Sequence, residues 1–106
     1  MNNTLGKHLL IDFYNCKAVF TDPEDLQPLV ERAFELVGAT LDGASFYHLD
    51  NELTCIAVSG NAHLCIHTYP DLSYAAVDIY SFNTDLQASK IMSALKIILK
   101  SDRIKA

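Results

Sequence analysis

The sequence predicts an α+β fold, a two-layer sandwich in which a mostly antiparallel sheet carries two helices on one face. Three observations lead there. Apolar residues recur at helical spacing in only two segments, 21–38 and 84–100. The rest of the chain is dominated by stretches rich in β-branched, aromatic and apolar residues, bounded by turn-forming residues. Each helix has a single apolar face that must lie on something, and one shared sheet is the economical solution. With 106 residues, 50% of them hydrophobic, a single domain over 1–106 is expected, with a core that needs no staples.

The elements follow one another closely. "KHLLIDFYN" (7–15) reads as the opening strand. "TDPEDLQPLVERAFELVG" (21–38) reads as a helix, with Leu26, Leu29, Val30, Ala33, Phe34 and Val37 on one face. Asp22 or Asp25 can cap it and Gly38 ends it. Pro28 is safe only in a first turn, which favours a start near Asp25. Strands are expected at 39–49, 52–59, 62–68 and 73–82, with turn chemistry at 50–51 and in "YPDLS" (69–73). A hairpin turning near Asp71–Leu72 places Ala62 opposite Ser81, with Phe82 beside it. The last helix, 84–100, has Thr84 and Gln87 as a capping box. Its apolar stripe is Ala88, Ile91, Met92, Leu95, Ile98 and Leu99. The tail "SDRIKA" is expected to fray. One sheet face is left open, so at least a dimer is expected.

Charge and cysteine usage narrow the function. Eight Lys and Arg against thirteen Asp and Glu give a net charge of −5, which argues against a nucleic-acid partner. Cys16, Cys55 and Cys65 are an odd number without paired spacing, so no disulfide framework is expected. No secretory signal opens the chain and no apolar run reaches membrane-span length. The expectation is a cytoplasmic protein with reduced thiols and no membrane partner.

The segments "LGKHLLIDFYNC" (5–16), "GASFYHL" (43–49) and "HLCIHTYPDLSYAAVDIYSF" (63–82) together resemble the short prokaryotic S-adenosylmethionine decarboxylases, in register over nearly the whole chain. Members of that family generate their own cofactor. A serine attacks the preceding carbonyl, the resulting ester undergoes β-elimination, and the new N-terminus carries a pyruvoyl group that serves as electron sink. The resemblance puts Ala62 at the serine's position and Asn61 where the family has glutamate. It puts Phe82 where the family has a cysteine implicated as a catalytic acid. A methyl group can neither attack nor be eliminated, so no pyruvoyl cofactor is expected. Two remnants are implied as catalytic: His67, matching the histidine that promotes processing, and Thr54, where a serine assists the ester step. Leu49 falls near a phenylalanine that stacks on adenine, across a one-residue gap, and with Asp12 is implied as a ligand contact.

The resemblance implies polyamine (spermidine) biosynthesis. Within it, the reading favoured is an inactive, unprocessed homologue that forms a homodimer, or a heterodimer with an active paralogue, and that can bind S-adenosylmethionine or a polyamine. The alternatives are an active decarboxylase working by a non-standard route and a nucleoside or polyamine sensor. Outside the family, a Ser-His-Asp hydrolase from Ser59 or Ser81, His67 and Asp78 is conceivable, although no nucleophile-elbow pattern supports it. Ser59, three residues before Ala62, is expected on the opposite face. No metal site is expected, because His63 and His67 lie about 13 Å apart along a strand and no third ligand is placed to help.

Overall fold

The computed structural model describes residues 6–18, 20, 22–60, 62–82 and 88–106. The first strand, β1 (Gly6–Tyr14), stops where Asn15 takes a left-handed φ of 53°, a conformation that Asn tolerates better than most residues. Helix α1 (Pro23–Leu36) starts earlier than Pro28 suggested. Asp22 is the N-cap, its carboxylate accepting from the Glu24 N–H at 3.1 Å, and Pro23 fills the first turn. The cap and Pro23 together outweigh the one hydrogen bond lost at Pro28, which therefore sits inside the helix. Gly38 (φ 72°) ends α1 as expected. Its N–H donates to the Glu35 carbonyl at 3.1 Å, and that of Ala39 to Phe34 at 2.9 Å, the Schellman arrangement.

Strands β2 (Gly43–Leu49), β3 (Glu52–Ser59), β4 (Ala62–Tyr69) and β5 (Tyr74–Phe82) follow as consecutive hairpins. Residues 39–42, expected as part of β2, form its lead-in instead. A short 3₁₀ turn, Pro70–Leu72, links β4 to β5 and ends on Ser73 at φ 49°. The β4–β5 register is the one expected, with Ala62 opposite Ser81. Helix α2 spans Ala88–Leu99; the expected capping box at Thr84 and Gln87 lies outside the described residues.

The tail departs from expectation. Arg103–Lys105 form β6, antiparallel to β1. The buried Ser101 hydroxyl donates to the Tyr14 carbonyl at 2.6 Å, and Asn15 Nδ2 donates to Asp102 at 2.9 Å. Arg103 lies over the Tyr14 ring. These contacts supply the pairing that a polar, charged segment does not advertise by its own pattern.

The sheet order is β2-β3-β4-β5-β1-β6, and every pair is antiparallel. Both helices lie on one face. Ile11 and Phe13 of β1, Leu53 and Cys55 of β3, Leu64 and Ile66 of β4, and Val77 and Ile79 of β5 pack there against Leu26, Val30, Phe34, Ile91, Leu95 and Leu99. The other face is open and carries exposed apolar residues, among them Leu10, Tyr47, Leu49, Ile56 and Val58.

Candidate functional site

Antiparallel pairing sets the residues of the open face in rows that cross the strands. One row runs Tyr47, Thr54, His67, Ala76 and Asp12. The next sets Leu49 opposite Glu52, and Tyr69 opposite Tyr74. Thr54 and His67 are thus direct cross-strand partners. Asp12 shares their row two strands beyond His67, about 9.6 Å across, and Leu49 is opposite Glu52 in the neighbouring row.

Thr54, His67 and Glu52 form one hydrogen-bonded cluster. The Thr54 hydroxyl donates to Glu52 Oε2 at 2.6 Å and lies 2.9 Å from His67 Nδ1. His67 Nδ1 is itself 3.0 Å from the same carboxylate oxygen. Hydrogen bonds from Thr54 and His67 hold the Glu52 carboxyl below its usual value, and an ionised carboxylate only accepts. Nδ1 is therefore the donor, and Nε2 is left for whatever meets the open face. Glu52 escaped the sequence reading. Its signal was available: a two-residue turn at 60–61 pairs Thr54 with His67 and sets Glu52 one row away.

Tyr69 and Tyr74 stack at 5.7 Å beside this cluster. The Tyr74 hydroxyl donates to Asp12, and that bond, with burial, pushes the phenol up to about 12. Asp12 is thus already engaged within the chain. Ala76, the one small residue of this row, stands between His67 and Asp12.

Ala62 lies elsewhere. It is 1% exposed and faces the helices, on the opposite side of the sheet from His67. Five residues of strand, about 17 Å, separate the two. The β4–β5 register sets Ser81 opposite Ala62 and Phe82 next to Ser81; Asn61 lies outside the described residues. Ser59, expected on the other face, is the direct partner of Ala62 across the two-residue turn and shares its side. The strand's alternation does not carry through a reversal, and Gly60 (φ 57°) makes that reversal. The hydrolase constellation is not assembled: Asp78 is contacted by His8, the acid at His67 is Glu52, and Ser59 faces away.

Comparison with known proteins agrees with this fold. The family model described as S-adenosylmethionine decarboxylase matches residues 7–106. The chain belongs to the S-adenosylmethionine decarboxylase family. It is 37% identical over 103 residues to the S-adenosylmethionine decarboxylase proenzyme of Thermosipho melanesiensis, covering 95% of this chain and 79% of that one. It is 34% identical over 104 residues to the proenzyme of Thermotoga maritima, with the same coverage. The crystal structure of the adenosylmethionine decarboxylase from Aquifex aeolicus superimposes with a TM-score of 0.78 at 28% identity, covering 98% of this chain and 88% of that one. The family is one of polyamine biosynthesis, and its members depend on a self-generated pyruvoyl group rather than an external cofactor. Among the described residues no helix is long and apolar enough to cross a membrane.

Proposed function

We propose that this chain is an unprocessed, catalytically inactive member of the S-adenosylmethionine decarboxylase family that acts as a subunit partner of an active one. The observation that carries the reading is Ala62. At the position matched to the family's serine stands a methyl group, packed 1% exposed against the core. It has no oxygen to attack with and no leaving group to eliminate. The residues present therefore do not fit the pyruvoyl group, and the chemistry that would make it is closed.

The separation within the site supports the partner role. What the chain has lost lies around the Ala62–Ser81 pair, and what it keeps, Thr54 and His67 with Glu52, lies about 17 Å away on the other face. Side chains that far apart do not act on one another within a single chain. A retained cluster on an open sheet face is placed to serve a processing segment brought by a second chain. A ligand of the polyamine pathway, S-adenosylmethionine or a polyamine, would meet the same face near His67, Asp12 and the tyrosine pair.

Two experiments test this. Electrospray mass spectrometry of the purified chain gives one species of 11.8 kDa; fragments divided after Asn61 would sink the reading. In the second, the chain is co-expressed with an active family member whose matched histidine has been replaced. Decarboxylation of S-adenosylmethionine returns with the parent chain and not with His67→Ala. If neither restores carbon dioxide release, the partner role is wrong even where the chain stays uncleaved.

A further inference from the structure

The open face carries a second group of side chains, one and two rows from His67, that the decarboxylase reading does not use. His63 and Cys65 are two residues apart on β4 and point the same way, and Asp78 of β5 stands directly opposite Cys65. One ligand atom from each of the three lies within 4.8 Å of the other two, and all three side chains are half-buried. His8 of β1 contacts Asp78 Oδ1 through Nε2, and His63 is stacked on Tyr80 at 5.3 Å between centroids.

We propose that His63, Cys65 and Asp78 form a site for one zinc-like divalent transition-metal ion, with His8 as the outer partner that orients the Asp78 carboxylate. Along β4 alone, His63 and His67 lie about 13 Å apart and have no third ligand. Strand pairing supplies one from across the hairpin and leaves His67 out. Imidazole, thiolate and carboxylate form a mixed donor set that suits zinc and cobalt and disfavours magnesium and calcium. Zinc holds such ligands at about 2.0–2.3 Å, so tetrahedral neighbours sit roughly 3.3–3.8 Å apart. The three atoms reach that spacing by small side-chain rotations on a sheet that fixes their backbones. A histidine on a metal-bound carboxylate is a familiar outer-shell pairing. Burial and the nearby Asp78 push the Cys65 thiol up, so no thiolate waits for the ion and binding releases the sulfur's proton. The fourth coordination position is open to water or a small ligand. All three ligands come from one chain, so the site needs no donor from a second copy on the open face.

The test uses the full chain without an affinity tag. Calorimetry with zinc chloride reads one equivalent per chain. Cobalt chloride gives a sulfur-to-cobalt charge-transfer band in the near ultraviolet and the visible bands of a four-coordinate site. Cys65→Ser loses the charge-transfer band and weakens zinc binding by about 100-fold or more, and His8→Gln weakens it about tenfold. Asp78→Asn falls between them, and far-ultraviolet circular dichroism shows each variant folded. The proposal is overturned by no saturation near one equivalent, by a cobalt complex without the sulfur band, or by Cys65→Ser and Asp78→Asn proteins that bind zinc as tightly as the parent. A loss in His48→Gln as large as in His63→Gln would also overturn it, since it would assign the binding to scattered surface imidazoles.

Discussion

On the proposed reading, replacing Ala62 by serine returns a nucleophile, and the structure sets what else it does. The new hydroxyl enters a position that is 1% exposed and faces the helices. A buried hydroxyl without a partner costs about 1–3 kcal/mol. Ser59 stands directly opposite and half-buried, so a hydroxyl pair across the turn offsets part of the cost. The expected loss is therefore nearer the low end, a drop in Tm of about 4–8 °C per kcal/mol. Chemistry gains less than the restored oxygen suggests. On the proposed reading, Phe82, adjacent to the residue opposite position 62, stands where a thiol would donate a proton, and a positioned general acid is worth about 10²–10⁴ in rate. Ala62→Ser alone therefore yields slow, partial cleavage and little decarboxylation. Ala62→Ser with Phe82→Cys gains far more than the two single changes combined, because residues that act as a unit are not additive. The assay is a gel time course of processing, with intact mass and release of labelled carbon dioxide, for both singles and the double. Full processing and a normal enzymatic rate from Ala62→Ser alone would refute the argument. Phe82 would then be no loss, and the chain would stand one substitution from an ordinary enzyme.

Three further outcomes are expected. Light scattering at micromolar concentration shows a homodimer formed through the open face, where Leu49 is 60% and Ile56 37% exposed, and Ile56→Asp shifts it to monomer; a parent protein that is monomeric there counts against a covered face. Because the folded state holds the Glu52 carboxyl below its ordinary value near 4.5, its contribution is complete above that value and fades as pH falls through the lower folded one. Glu52→Gln is therefore less stable than the parent by about 0.2–1 kcal/mol at pH 7, and urea melts converge in acid; an equal gap at pH 7 and pH 3 would contradict the cluster. Gly38→Ala costs about 1–2 kcal/mol from the left-handed backbone, since an added Cβ meets nothing within 4 Å; an unchanged melting temperature would remove the Schellman end of α1.

Local pattern and the tertiary structure contributed different things. Period-two runs and turn residues were enough to read the strands, and the one-sided apolar stripes enough to read the helices, because burial on one face imposes those periods on any sequence that folds this way. The β4–β5 register was readable too, since a short turn at Asp71–Leu72 leaves little freedom in pairing. The identity of residue 62 needs no structure: a methyl group has no lone pair at any backbone geometry. Other features depend on residues distant in sequence. Pro28 could not report that Asp22 and Pro23 would start the helix before it. The six residues after Lys100 carry no strand pattern of their own and pair only because the β1 edge is there to receive them. Glu52 beside His67, Ser59 on the side of Ala62, and Asp78 beside His63 and Cys65 all arise from strands turning back on themselves. A reversal resets which face each residue takes and brings residues 13 to 15 positions apart within hydrogen-bond reach. Sequence periodicity describes one element at a time, whereas a site is made where several elements meet.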